Sequence, residues 1–228
     1  MTHLTAVLEG TRNPQVVAAA RAVAGLLGVD TEQLQVGPGS TADRTRRVLG
    51  ALAAEDVVAA AVSAGAAVCE GVITHVAVPV VVIPREGVRS MRGISRVLLP
   101  LDGSAEAALG VADLARRAVD TDADVTAVHV FDASTVPAFW DQAAHSYRAW
   151  TREFQHRYLP ESVHLDLRRG LPADQVLAAA ERAGVDLIVL GWNQRLDEGR
   201  AAIVRQAFTG GRVPVLLVPT GARTSSRT

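Results

Sequence analysis

The stretch VLLPLDGSAEAALGVADLARRAV, residues 97–119, decides the architecture. It opens with a short apolar run, Val97 to Leu101, that stops at Asp102-Gly103-Ser104. A helical pattern follows at once, with Ala108, Val111, Ala112, Leu114, Ala115 and Val119 at mixed spacings of 3 and 4. Working outward, VTAVHVF (Val125–Phe131) is β-branched and reads as a strand, and Val136 to Leu159 as a long helix. VHLDL (Val163–Leu167) alternates like a strand. Pro172 opens a helix at the position where its missing N–H is harmless. DLIVLG (Asp186–Gly191) is a strand, Ala201–Phe208 a short helix, and PVLLV (Pro214–Val218) a fifth strand. Nearly all-apolar strands alternating with helices predict a parallel sheet covered on both faces. Right-handed crossovers then restrict it to a doubly wound α/β sheet.

The first half repeats much of this pattern. LTAVLEGTRN (Leu4–Asn13) lies over VLLPLDGSAE (Val97–Glu106), with Glu9-Gly10-Thr11 where Asp102-Gly103-Ser104 stands. A helix follows from Pro14 to Leu27. Gln33–Gly37 falls where His164–Gly170 stands, and Asp43–Ala54 parallels the helix after Pro172. Glu55–Val58 parallels Val185–Ile188, and VAVPVVVIP (Val76–Pro84) parallels GRVPVLLVP (Gly211–Pro219). Between the first helix and Gln33 there is no room for a second strand and a long helix. The expected organisation is therefore two tandem units, the first lacking one strand and one helix. Residues 1–85 form the first unit, 86–93 a polar linker, 94–220 the second unit and 221–228 a polar tail expected to fray.

Composition narrows the function. Hydrophobic residues make up 49% of the 228 but aromatics only 4%, so the core must be built from Ala, Val, Leu and Ile. The formal net charge is -1, and this balance gives no hint of a basic stripe for nucleic acid, so no nucleic-acid partner is expected. All 23 basic residues are Arg, and without a lysine the P-loop pattern cannot occur. One cysteine excludes an intrachain disulfide and a cysteine metal cluster, and Cys69, within VCEGVITHV, reads as a small buried hydrophobe. The six histidines are scattered, with no metal-ligand spacing. His129, in a strand pattern, reads as a core or interface histidine. Neither Gly-x-Ser-x-Gly nor a Gly-x-Gly-x-x-Gly turn after a strand is present, so hydrolase and dinucleotide readings have no foothold. No secretory leader is evident and no apolar run reaches the ~18 residues of a membrane span, so a cytoplasmic protein without membrane contact is expected.

The helix expected over residues 136–159 holds six of the nine aromatics. Trp140, Tyr147, Trp150, Phe154 and Tyr158 step by 7, 3, 4 and 4 and share one face. That face either packs on the second-unit sheet, or in part covers surface left open by the helix missing from the first unit or forms a subunit contact.

Four segments carry a family resemblance: VLLPLDGS near the start of the second unit, VTAVHVF, DLIVLG and the closing VPVLLVP. Through them residues 94–220 resemble the universal stress protein family, with residues 1–84 a weaker likeness. The resemblance implies the family's adenine-nucleotide-hydrolase-like fold, a five-stranded parallel sheet whose last strand pairs with a second copy. Here the second copy is expected to be the first half of the same chain, an intrachain pseudo-dimer. Two chains could then pair further through the aromatic helix. Many family members bind ATP, and carried over residue by residue, Asp102 and a main-chain group of Val130 would hold the adenine. Gly191 would open the phosphate loop, which in the family runs Gly-x-x-Gly and later Gly-Ser or Gly-Thr, so that backbone N–H groups reach phosphate oxygens.

The sequence departs from that loop. Gln194 stands at the second glycine, Ala201-Ala202 at the Gly-Ser pair, and Asp197 and Glu198 add charge of the wrong sign, offset only by Arg195 and Arg200. In the first unit Ala66-Ala67 takes the Gly-Ser place and Glu9 the aspartate's, where it is expected to cap a helix or face solvent. Asp102 reads either as an adenine ligand or as a helix cap. Two functions stay open. One is a non-catalytic stress-response protein with no cofactor that acts through association. The other is a regulator that takes ATP or another adenine nucleotide through Asp102, Val130, Gly191, Arg195 and Arg200. Nothing positions a metal or a water for hydrolysis.

Overall fold

The computed structural model describes residues 1–10, 13–85, 91–131, 147–196 and 201–220, without the side chains of 147–150 and 207–210. The first half runs β1 (His3–Glu9), α1 (Pro14–Leu27), β2 (Asp30–Val36), α2 (Thr41–Leu52), β3 (Val57–Ser63), α3 (Cys69–His75) and β4 (Val80–Ile83). The second runs β5 (Arg96–Leu101), α4 (Ala105–Asp120), β6 (Asp124–Phe131), α5 (Tyr147–Tyr158), β7 (His164–Arg169), α6 (Pro172–Ala183), β8 (Leu187–Trp192), α7 (Ala201–Gly210) and β9 (Val215–Pro219). Four strands precede the linker and five follow it, as the uneven repeat predicts. The short α3 is not signalled by the pattern.

The strands form one sheet in the order β2-β1-β3-β4-β9-β8-β5-β6-β7. Every pair is parallel except β4 with β9, where Val80, Val81 and Val82 face Leu217, Leu216 and Val215. Each half is a parallel set ending in its VPV strand. Joining the two last strands antiparallel gives each exposed edge a partner, which removes two edges from solvent.

Register identifies the missing strand. His3 pairs with Asp30 on β2, and Arg96, its counterpart on β5, pairs with Asp124 on β6. The chain also leaves α1 and α4 alike, with Val29 N–H on the Ala24 carbonyl and Ala123 N–H on the Ala118 carbonyl, each at 3.0 Å. So β2 takes the place of β6, not that of β7 with which Gln33–Gly37 aligns in sequence. The first unit lacks the outermost strand and the α5 helix that leads to it.

Strand alternation divides the core. Leu4, Leu8, Val81, Leu99, Val189 and Leu216 point to the face covered by α1, α4 and α5. Val7, Val82, Leu98, Ile188, Leu190 and Leu217 point to the face covered by α2, α3, α6 and α7. The helices start where their caps are. Asn13 accepts from Gln15 N–H and Val16 N–H ahead of α1, and Ser104 accepts from Ala107 N–H ahead of α4. The α1 and α6 helices end in the left-handed glycines Gly28 and Gly184.

Phe154 is buried in the α1/α4/α5 core with Tyr158 packed beside it, the two rings 5.0 Å apart. That part of the aromatic face is turned into the core, where α5 meets α4. Residues 136–146, with Phe139 and Trp140, lie outside the described residues, as do 86–90 and the tail 221–228. Cys69 is buried among the α2/α3 core, and burial, with the neighbouring Glu70 and Glu9 carboxylates, pushes its thiol up to about 12. Among the described residues no helix is long and apolar enough to cross a membrane, and no group of His, Cys, Asp and Glu is placed to hold a metal ion.

Candidate functional site

In a doubly wound sheet a ligand crevice opens beyond the carboxyl ends of the strands, where the winding reverses. The strand order puts one such point between β5 and β8 and a second between β1 and β3.

At the β5/β8 point, Asp102 follows β5, Val130 lies near the end of β6, and Gly191 lies on β8. These three predicted residues stand at the same end of adjacent strands. Asp102 does not cap α4 itself. Its Oδ1 accepts from Ser104 N–H at 3.0 Å and from the Ser104 hydroxyl at 2.6 Å, and Ser104 is the cap. Asp102 thus positions the capping serine, while its side of the chain remains exposed. Next to it His129 is buried, its Nδ1 donating to the Leu101 carbonyl at 2.8 Å and its ring edge-on to Phe131 at 4.3 Å. Burial holds its pKa below the ordinary 6.5 against the pull of that bond and of Asp102. It is the core histidine that the strand pattern predicts.

Gly191 is glycine for a reason visible in the packing. A Cβ there would stand 3.0 Å from Cγ2 of Thr220 and 3.4 Å from the Ala107 carbonyl oxygen. Thr220 is buried, its N–H on the Trp192 carbonyl at 2.7 Å. Its γ-methyl lies between Gly191 and Gly110 of α4, where a Cβ would approach to 2.5 Å.

The segment after β8 runs into the first unit. Trp192 is 1% exposed, and its Nε1 donates to the Ile73 carbonyl of α3 at 2.8 Å. Gln194 adopts φ 64, the left-handed conformation natural to glycine, and its Nε2 donates to the Val76 carbonyl at 2.5 Å. Arg195 N–H turns back onto Asn193 Oδ1 at 3.2 Å, and Arg205 of α7 donates to the Leu196 carbonyl. Ala201, at the start of α7, is wholly buried. Arg200, Asp197 and Glu198 lie outside the described residues. No sequence signal marked Trp192 or Gln194 as a tie to the other unit, because their partners are backbone carbonyls more than a hundred residues away.

At the β1/β3 point a cleft of about 280 Å³ is lined by Glu9, Asn13, Ser63, Gly65, Ala66 and Arg85 among others. The expectation that Glu9 caps a helix or faces solvent is wrong. Its side chain is 18% exposed, Oε2 accepts from Ala67 N–H at 2.7 Å, and Oε1 lies 3.4 Å from the Arg44 guanidinium. The fold brings the ends of β1 and β3 together, so the carboxylate reaches the Ala66-Ala67 segment from 58 residues away.

Residues 93–219 match the model described as the universal stress protein family. A universal stress protein from Archaeoglobus fulgidus DSM 4304 superposes with TM-score 0.60 at 19% identity, covering 96% of this chain and 88% of that one. A protein of unknown function from Pseudomonas aeruginosa PAO1 superposes with TM-score 0.57 at 15% identity, covering 96% and 82%. Identities this low speak for the shared fold. No curated protein matches the chain in sequence.

Proposed function

Because the chain belongs to the universal stress protein family, we propose that it is a non-catalytic stress-response protein that works through association and turns over no nucleotide. The observation that carries this reading is the internal use of both places where the family would seat phosphate. After β8, Trp192 and Gln194 are bonded to the Ile73 and Val76 carbonyls, so the loop clasps the other unit. Gln194 supplies the left-handed turn of a glycine and commits its side chain to the Val76 carbonyl. In the first unit the Glu9 carboxylate already occupies the Ala67 N–H that a phosphate would use.

One specific observation favours a second reading, an adenine-nucleotide-binding regulator. Asp102, Val130 and Gly191 share the carboxyl ends of β5, β6 and β8, and Arg195 follows within the next turn. Against it stand the Ser104 contacts that engage Asp102 and the packing that accounts for Gly191.

Association within the chain is met by β4 and β9. A second copy would need another surface, and Phe154 is not free to supply it because it is buried in the core. The deciding experiment is isothermal titration of ATP into the full-length protein, with Asp102→Ala as control. No heat at sub-millimolar ATP is expected. Tight binding that Asp102→Ala weakens would establish the nucleotide reading instead.

A further inference from the structure

The two units also meet through their equivalent helices, and the seam holds an unassigned cleft. Arg117 of α4 donates to the Leu27 carbonyl at the end of α1, at 3.3 Å. Beside this contact a cleft of about 180 Å³ is lined by Arg21, Ala22, Gly25 and Leu26 of α1, by Arg92, Gly93 and Ile94 ahead of β5, and by Thr121 at the end of α4.

Charge distinguishes this cleft. Arg21 and Arg92 both line it, and neither forms an ion pair with a carboxylate among the described residues. The α1 helix, PQVVAAARAVAGLL, carries no acidic residue to neutralise Arg21. The chain as a whole has 24 carboxylates for 23 arginines, so two unmatched guanidiniums on one concave surface are not a consequence of general basicity. The floor is apolar, with Ala22 and Leu26 buried and Ile94 half-buried. Asp120 and Asp122 flank Thr121 in the chain but do not line the cleft.

We propose that this seam cleft binds a small oxyanion, a phosphate or carboxylate on a compact apolar body, held by the Arg21 and Arg92 guanidiniums. Guanidinium is the side chain suited to bidentate recognition of either group. The volume is below the ~300 Å³ at which sites for drug-sized ligands begin, which favours a small molecule. A bound anion would join α1 to the segment that leads from the first unit into the second, so its occupancy would stabilise the junction of the two units.

The test is thermal unfolding of the full-length protein in increasing inorganic phosphate or acetate, with ionic strength held constant by chloride. A ligand that binds only the folded state raises Tm saturably. Wild type should show a saturable rise of a few degrees, and the double variant Arg21→Ala/Arg92→Ala should show none, while Arg85→Ala in the other cleft keeps the response. Both substituted side chains are exposed, so the double variant should fold, with circular dichroism as the check. Response to phosphate alone identifies a phosphate-bearing ligand, and response to acetate as well identifies the carboxylate class. Amide shifts of Gly93 and Thr121 in wild-type NMR titrations give a second readout. No saturable rise, an equal rise in the double variant, or loss of the response only in Arg85→Ala would overturn the proposal.

Discussion

A methyl group added at Gly110 should be destabilising unless Thr220 first loses its own. A Cβ at Gly110 would stand 2.5 Å from Thr220 Cγ2, against an optimal carbon–carbon separation of ~3.5–4.0 Å. Relieving an overlap of about 1 Å in a packed core typically costs ~1–3 kcal/mol. Replacing glycine by alanine inside a helix returns ~1 kcal/mol of backbone propensity. Gly110→Ala should therefore lower stability by about 0–2 kcal/mol. Thr220→Ser removes the γ-methyl and costs about 1 kcal/mol of apolar burial. With that methyl gone, Gly110→Ala should become stabilising by about 1 kcal/mol. The coupling between the two sites is then ~1–3 kcal/mol, read from a double-mutant cycle of urea midpoints with unchanged m-values. Gly191→Ala should couple to Thr220→Ser more weakly, since the Ala107 carbonyl at 3.4 Å remains. Additivity within ~0.5 kcal/mol at both sites would refute the packing account. Gly191 would then need a ligand to explain it.

Trp192→Phe should cost about 2–4 kcal/mol, from a buried Ile73 carbonyl left unbonded and a small cavity, measurable by chemical denaturation. Cys69, buried and with its thiol raised to about 12, should resist thiol reagents at mildly alkaline pH in native buffer and react fully in denaturant. Burial raises the pKa of Asp186, but hydrogen bonds from Ser95 N–H, the Ser95 hydroxyl and Arg96 N–H outweigh it and hold the carboxyl below its ordinary 3.8. Its contribution is therefore present above about pH 4 and lost as pH falls through the lower folded value. Wild type should lose more stability than Asp186→Asn between neutral pH and pH 3, and parallel profiles would contradict this.

The alternation of apolar strands and capped helices determined most of the architecture from sequence, because both periodicities are local. The run from Val97 to Val119 and its echo from Leu4 to Leu27 locate two equivalent strand–helix units, and the two VPV strands mark where each unit closes. The departures at Gln194 and Ala201-Ala202 were equally legible, since a missing glycine needs no coordinates to see. Other features depended on contacts between distant residues. Only the register of β2 on β1 showed which strand the first unit lacks, because a shortened repeat aligns in sequence in more than one way. Glu9 reaches Ala67, and Trp192 and Gln194 reach α3, through hydrogen bonds to main-chain groups, which any residue type offers and no pattern advertises. The Gly110–Thr220–Gly191 notch likewise comes from the packing of α4 on β8 and on the residue after β9, while Arg21 and Arg92 share a cleft only because α1 and α4 lie side by side across the joined sheet. Local propensity chose the elements; burial of two sheet faces across one seam decided which distant atoms became neighbours.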